Sequence, residues 1–173
     1  MMATKISRRE FQEALVARLQ NLASGDAQAH ATKLGVRSGS KNWLINLSDV
    51  SEVVPLGAFT PVPLTKPWFI GMTNVRGNLF SIIDFSSFSG NEPTLMNVDS
   101  RLLLLNLRFG VNAALLVSRM QGLRGAEQLE PVAATGEQPA WAGSTFRDAS
   151  GTQWQELDLA ALVQTNEFLQ VGL

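Results

Sequence analysis

The segment Phe69-Ile70-Gly71-Met72-Thr73-Asn74-Val75-Arg76-Gly77-Asn78-Leu79-Phe80-Ser81-Ile82-Ile83-Asp84 decides how the rest of the chain is read. Two apolar-rich runs, 69–75 and 78–84, are parted only by Arg76-Gly77. That spacing predicts a β-hairpin, because glycine supplies the positive φ of a tight turn at no steric cost. Asp84 closes the second run and predicts an N-cap for a short turn or helix through Phe88, stopped by Gly90.

Upstream, Trp43–Leu47 and Val50–Val54 read as strands on either side of a Ser48-Asp49 turn. Pro55, Pro61, Pro63 and Pro67 make the stretch before the hairpin irregular or edge-like. Leu34 and Val36 mark one short, poorly patterned first strand. Downstream of a loop over Asn91–Ser100, Arg101–Arg108 and Val111–Val117 form a second hairpin near Phe109-Gly110. Gly122 and Gly125 break the next segment, and Glu127–Ala140, with Pro131 and Pro139, reads as loop. Trp141–Arg147 and Thr152–Asp158 form a last hairpin across Asp148-Ala149-Ser150-Gly151. Asp158 then caps a closing helix whose Leu159, Leu162 and Val163 face the core. At the other end, Ser7 and Glu10 make a capping box for an amphipathic helix over Ser7–Leu22, with Phe11, Leu15, Leu19 and Leu22 on one face and Gly25 as its stop. The expected organisation is a helix within 1–24, a linker over 25–32 and a domain over 33–173. Many short strands with helices only at the ends make that domain all-β and barrel-like.

Composition narrows the function. The 173 residues carry 14 basic and 15 acidic groups, 45% are hydrophobic and 17% charged. A dedicated nucleic-acid binder should be basic, so no nucleic-acid partner is expected. The absence of cysteine removes disulfides and thiolate chemistry. One histidine, His30, leaves no room for a His-ligated metal or a triad and reads as a solvated surface residue. Glu52, Asp84, Glu127, Glu130, Asp148, Glu156 and Asp158 show no spacing that demands a shared acid–base site, and Asp84 and Asp158 are explained as caps. The glycines sit in hairpins and loops, not at a phosphate-binding strand–helix junction. The four tryptophans are spread out. The apolar runs Leu102–Leu105 and Ala113–Val117 are strand-sized, far below the ~20 residues of a spanning helix. A cytoplasmic protein without direct membrane insertion, enzymatic activity, cofactor or metal is expected.

The stretch Ile70–Phe85 resembles the signature of the CheW-like chemotaxis adaptor domain, in which Gly-x-x-Asn-hydrophobic-Arg-Gly turns into an apolar strand ending in Asp and an apolar residue. Val50-Ser51-Glu52-Val53-Val54 is similar to the family's Val-x-Glu-Ile strand, and Phe59–Pro63 to its proline-bearing approach. Leu102–Val117 resembles its central hairpin and Trp141–Val163 its terminal hairpin and helix. Ser81 stands where proline is usual, and Ser118 where Asp is. The resemblance implies two small five-stranded barrels packed around a shared core. It implies a non-enzymatic adaptor binding the regulatory domain of a chemotaxis-type histidine kinase and the cytoplasmic tip of a methyl-accepting chemoreceptor. The N-terminal helix and the ending Asn166–Gly172 resemble the family's variant serving type IV pilus twitching motility (PilI-type).

Val50, Glu52, Gly71, Asn74, Arg76 and Gly77 are the expected partner-binding residues. Arg76 has two readings: its fork of donors suits a partner's carboxylate or carbonyls, and it equally suits a tie between the barrels or a pair with Glu52. Glu52 is expected on the solvent side of its strand, with Val50 and Val54 inward. Gly71 is expected to permit close backbone approach more than to touch a partner. The helix stripe at Phe11, Leu15, Leu19 and Leu22 either packs on the barrel or binds a partner. A second function class, a β-barrel module binding a small ligand or oligosaccharide, requires tryptophans clustered along one groove. A third, a carboxylate hydrolase, requires two carboxylates converging in one cleft.

Overall fold

The hairpins form where alternation and turn residues place them, and long-range pairing assembles them into two sheets. The computed structural model describes residues 12, 13, 15, 16, 32–133 and 136–173. Strands are β1 (Lys33–Ser38), β2 (Lys41–Asn46), β3 (Val50–Pro55), β4 (Phe69–Val75), β5 (Asn78–Asp84), β6 (Arg101–Leu105), β7 (Ala113–Val117), β8 (Arg119–Arg124), β9 (Leu129–Val132), β10 (Ala142–Asp148) and β11 (Gln153–Leu157). Short helices are α1 (Phe85–Phe88), α2 (Leu159–Gln164) and α3 (Asn166–Leu169). Of the expected N-terminal helix, Gln12, Glu13, Leu15 and Val16 are helical. Phe11, Leu19, Leu22, Gly25 and His30 lie outside the described residues.

One sheet has the strand order β8-β1-β2-β11-β10-β9, the other β3-β6-β7-β5-β4. The second is therefore an insertion between β2 and β8 of the first. Most neighbours are antiparallel, but β2 pairs with β11 and β5 with β7 in parallel. The main core lies between the sheets: Val36, Trp43 and Ile45 from one meet Ile83, Leu103, Leu105, Leu115 and Val117 from the other, closed by Phe85, Leu159, Leu162 and Phe168. Its centre is aromatic, with Trp43 edge-on to Phe85 at 4.9 Å and Trp141 5.7 Å from Trp43. Such ring pairs add ~0.5–1.5 kcal/mol each beyond the area they bury. A second core, Phe80, Ile82, Leu102, Leu104, Ala114 and Leu116, fills the opposite face of the five-stranded sheet. That is why Leu102–Leu105 and Ala113–Val117 are apolar at every position: both faces of β6 and β7 are covered.

The chain caps its own ends. The Asp84 carboxylate accepts from Ser87 N at the start of α1, and Asp158 accepts from Ala161 N at the start of α2. Asp84 also accepts from Thr94 N at 2.9 Å and Thr94 Oγ1 at 2.6 Å, latching the loop after α1 to the sheet. The C-terminal tail is strapped to the proline-rich segment by Lys66 N donating to Val171 O (2.8 Å) and Leu173 N to Leu64 O (3.1 Å).

Three expectations need correction. The fold is mostly β with two sheets, but the described residues form a six- and a five-stranded sheet instead of two closed five-stranded barrels. Terminal strands β8 and β9 are not paired with each other, nor are β3 and β4. The five-stranded sheet curls toward closure, yet only the continuation of β3 reaches β4, in one bridge between Thr60 and Met72. Prolines 55, 61, 63 and 67 lack the N–H groups that a longer ladder would need. Second, the segment with Gly122 is strand β8, not a break. Its register against β1 shifts at a bulge that lets Gly122, at φ 92°, join the ladder. Third, β9 lies within the expected loop; it pairs only with β10, and an edge strand tolerates Pro131.

Candidate functional site

Curling of the five-stranded sheet without closure leaves a groove of about 510 Å³ between β3 and β4. Its floor and walls are Val53, Val54, Thr73, Val75 and Leu102, with Glu52, Asn74 and Arg76 along the rim and Gln12 above. Three of the expected site residues thus meet in one place. Ties between β4 and the chain leaving β3 shape the far wall: Thr60 N donates to Met72 O (2.8 Å), Met72 N to Thr60 O (2.9 Å) and Thr73 Oγ1 to Ala58 O (2.9 Å).

Glu52 reaches the groove through a bulge. Strict alternation would put Val50, Glu52 and Val54 on one face, but Val50 opposes Leu105 and Glu52 opposes Leu104. Ser51 is the extra residue, its Oγ donating to Leu104 O at 3.2 Å. Val50 therefore points into the main core while Glu52 and Val54 turn to the groove side. Glu52 is half-buried, not solvated, and its Oε1 lies 2.7 Å from Arg76 Nη2. The same nitrogen lies 3.2 Å from Glu13 Oε1.

Arg76 and Gly77 have φ of 53° and 85°, so both central residues of the hairpin are left-handed. Gly77 does this freely; Arg76 does it against the clash of its Cβ. Asn74 Oδ1 accepts from Gly77 N at 2.9 Å and pins the turn. The Arg76 side chain is about half exposed, so its fork faces solvent while Glu52 holds one nitrogen.

The structure does not bring Val50 or Gly71 to the surface. Val50 is 5% exposed, and a Cβ on Gly71 would sit 2.4 Å from the Thr60 carbonyl oxygen. Gly71 serves close backbone approach, and both residues support the groove from beneath. Thr73, Val53 and the Glu13 contact were not singled out by sequence reasoning; alternation along β4 marks Thr73, whereas nothing local marks Glu13.

Perturbed carboxylates lie away from the groove. Burial pushes the Asp49 carboxyl up, against the pull of Arg108, which pairs with it. Hydrogen bonds from Ser150 and then Trp154 bring Asp148 down to about 2. No cluster of three or more His, Cys, Asp or Glu that could hold a metal occurs among the described residues. Trp43, Trp141 and Trp154 are buried, so the tryptophan-lined groove required by the sugar-binding alternative is not built from them. Glu13 and Glu52 do converge, but on the Arg76 guanidinium that pairs with both. No helix among the described residues is long and apolar enough to cross a membrane.

Comparison with known proteins bears on this geometry. The model of the CheW-like domain matches residues 33–167. The chain is 30% identical over 167 residues to Protein PilI of Pseudomonas aeruginosa, covering 90% of this chain and 91% of that protein. It is 29% identical over 72 residues to Chemotaxis protein CheW of Helicobacter pylori, covering 42% of this chain and 44% of that one. Among solved structures, the scaffolding protein TtCheW from Thermoanaerobacter tengcongensis superposes with a TM-score of 0.66 at 21% identity, over 79% of this chain and 94% of that chain, a likeness of fold.

Proposed function

The chain belongs to the CheW-like domain family, and from that premise we propose that it is a non-catalytic cytoplasmic adaptor coupling chemoreceptors to a chemotaxis-type histidine kinase in type IV pilus (twitching) signalling. The residues of 33–173 form the adaptor domain, preceded by a linker and a helix. The observation that carries the reading is Arg76: a half-exposed guanidinium at a hairpin tip, oriented by Glu52 at 2.7 Å and set beside an apolar groove. Glu52 pairs with the fork at one nitrogen, and the fork's outward N–H groups suit a carboxylate or backbone carbonyls of the kinase regulatory domain. Val54 and Val75 supply apolar area beside it. Asn74 and Gly77 hold the turn, and Val50 and Gly71 set the strand positions from below. Receptor conformation then biases the kinase through contacts that differ between its states.

The test is reconstitution from purified parts: this chain, a kinase regulatory domain and a receptor-tip fragment. A ternary complex that needs this chain, with no turnover of ATP by the chain itself, is expected. Failure of both binary complexes to form, or turnover abolished by a carboxylate substitution, would overturn the adaptor reading.

A further inference from the structure

We propose that two copies of this chain associate through the cleft between the 91–100 loop and strands β1 and β8, the basic strand wall of each copy meeting the acidic and apolar loop wall of the other. The cleft, of about 580 Å³, is lined on the strand side by Arg37 and Arg119 and on the loop side by Glu92, Leu95 and Asp99. None of its described residues lines the groove between β3 and β4. Arg37 and Arg119 stand directly opposite each other in the β1–β8 ladder, where like charges oppose pairing. The other like-charged couple of that ladder, Lys33 and Arg124, is compensated within the chain. Lys33 Nζ lies 3.5 Å from Glu156 Oε1, and the Arg124 guanidinium lies 5.2 Å from the centre of the Trp154 ring. Among the described residues, neither Arg37 nor Arg119 has a carboxylate within ion-pair distance, and neither Glu92 nor Asp99 has a basic group there.

The loop reverses the usual polarity of a surface segment. Its polar side chains turn inward: Thr94 and Ser100 are buried, and Thr94 is bonded to Asp84. Ser100 Oγ donates to Leu95 O at 3.0 Å and accepts from Asn97 N at 2.9 Å. Arg101 Nη1 donates to Val98 O at 2.8 Å. Its apolar side chains face solvent, with Leu95 80%, Val98 87% and Met96 46% exposed. These bonds fix the three side chains' backbone before any contact, which lowers the ordering cost of burying them. Exposed apolar side chains gathered on an anchored loop mark a protein interface, and the charges around them select the partner. A uniformly acidic partner would meet Glu92 and Asp99, and a uniformly basic one Arg37 and Arg119. A second copy brings both signs, and a two-fold axis over the cleft sets each strand wall against the other copy's loop wall. The contact uses no groove residue, so a dimer presents two grooves at once.

Sedimentation of the full-length chain over a concentration series tests this without any other protein. The wild type should show a reversible monomer–dimer equilibrium. Val98 belongs to neither core, so Val98→Asp should leave melting unchanged and weaken self-association by roughly tenfold or more. Arg37→Glu with Arg119→Glu makes the charges of the cleft wholly acidic, and Glu92→Arg with Asp99→Arg makes them wholly basic. Each double variant alone should associate roughly tenfold or more weakly, because like charges then face each other across the axis. An equal mixture of the two should restore dimers, each containing one copy of either kind. A wild type that stays monomeric, or a dimer that survives all three variants, would overturn the proposal. So would a mixture that stays monomeric although both double variants melt as the wild type does. Should a double variant fail to fold, Val98→Asp decides alone. If the wild type is monomeric and Val98→Asp instead weakens binding of the kinase regulatory domain or the receptor-tip fragment, the face belongs to that partner and self-association fails, with the adaptor reading intact.

Discussion

Replacing Arg76 by Asn and by Ala separates what this residue does for the fold from what it does for a partner. At φ 53°, a Cβ-bearing residue costs about 1 kcal/mol, which glycine avoids and asparagine reduces. In return Arg76 pairs with Glu52 at 2.7 Å between side chains 48% and 25% exposed, a contact worth ~0.2–1 kcal/mol. The two effects nearly cancel. Arg76→Asn loses the pair but relieves the turn, so its stability should fall within about 0.5 kcal/mol of the wild type. Arg76→Ala keeps the strain and loses the pair, costing about 0.5–1 kcal/mol. At ~2–4 °C per kcal/mol for a chain of this size, melting should shift by under ~2 °C for Asn and up to ~4 °C for Ala. Binding to the kinase regulatory domain, measured by calorimetry, should weaken more than tenfold in both, since losing a charge-assisted fork at an interface costs ~2 kcal/mol or more. Arg76→Lys should restore part of the affinity, keeping charge without the planar fork. If Arg76→Asn and Arg76→Ala both melt well below the wild type while their folded fractions bind normally, the guanidinium is a structural tie and the reasoning fails.

Gly71→Ala should destabilise by about 1–3 kcal/mol, because a Cβ 2.4 Å from the Thr60 carbonyl meets backbone that cannot rotate away; thermal melting checks this. Asp84→Ala should cost about 2–4 kcal/mol, since it leaves the buried Thr94 N–H and hydroxyl without their acceptor, and amide exchange should rise first in 91–100. For pH, Asp148 has a folded pKa of about 2, lowered from 3.8 by Ser150 and Trp154, so its contribution is full above about 4 and lost as pH falls toward 2. Asp49, raised by burial, acts in the opposite sense, favouring the folded state as it protonates. Asp148→Asn should therefore flatten the acid loss of stability, and the Trp154 indole N–H resonance, whose donor reaches Asp148 at 2.9 Å, should titrate with it in the wild type.

What the sequence made legible was local. The 69–84 hairpin is bounded by the two residues that turn it, Asp84 and Asp158 cap the helices expected of them, and the apolar runs of β6 and β7 are legible because two cores need them. What it hid was relational. Gly122 and Pro131 read as breakers because their strands were judged alone, whereas a bulge against β1 and an edge position beside β10 accommodate them. Glu52 is expected on the solvent side with Val50 and Val54 inward, but the period of two puts all three on one face, and the extra residue Ser51 instead sets half-buried Glu52 with Val54 and apart from Val50. The sequence singles out Arg76 as a turn residue with a donor fork, but its left-handed backbone becomes visible only when both turn residues have φ values.

The interleaved topology limits how an adaptor of this shape could carry a signal. Because the five-stranded sheet is inserted between β2 and β8, hinging the two sheets apart would strain both chain crossings. It would also expose the core that Trp43, Phe85, Leu103 and Leu115 share. Interiors packed at this density deform little. A receptor contact on one sheet is therefore better placed to act by choosing which partner contacts form than by bending the adaptor. The groove is the exception, since its two walls are joined outside the sheet ladder only by the bridge at Thr60 and Met72, the Thr73–Ala58 hydrogen bond and the Arg76–Glu52 pair among the described residues. On the adaptor reading, a partner contact at Arg76 is the step with the lowest structural cost, and the rest of the protein serves to keep the geometry of that contact fixed.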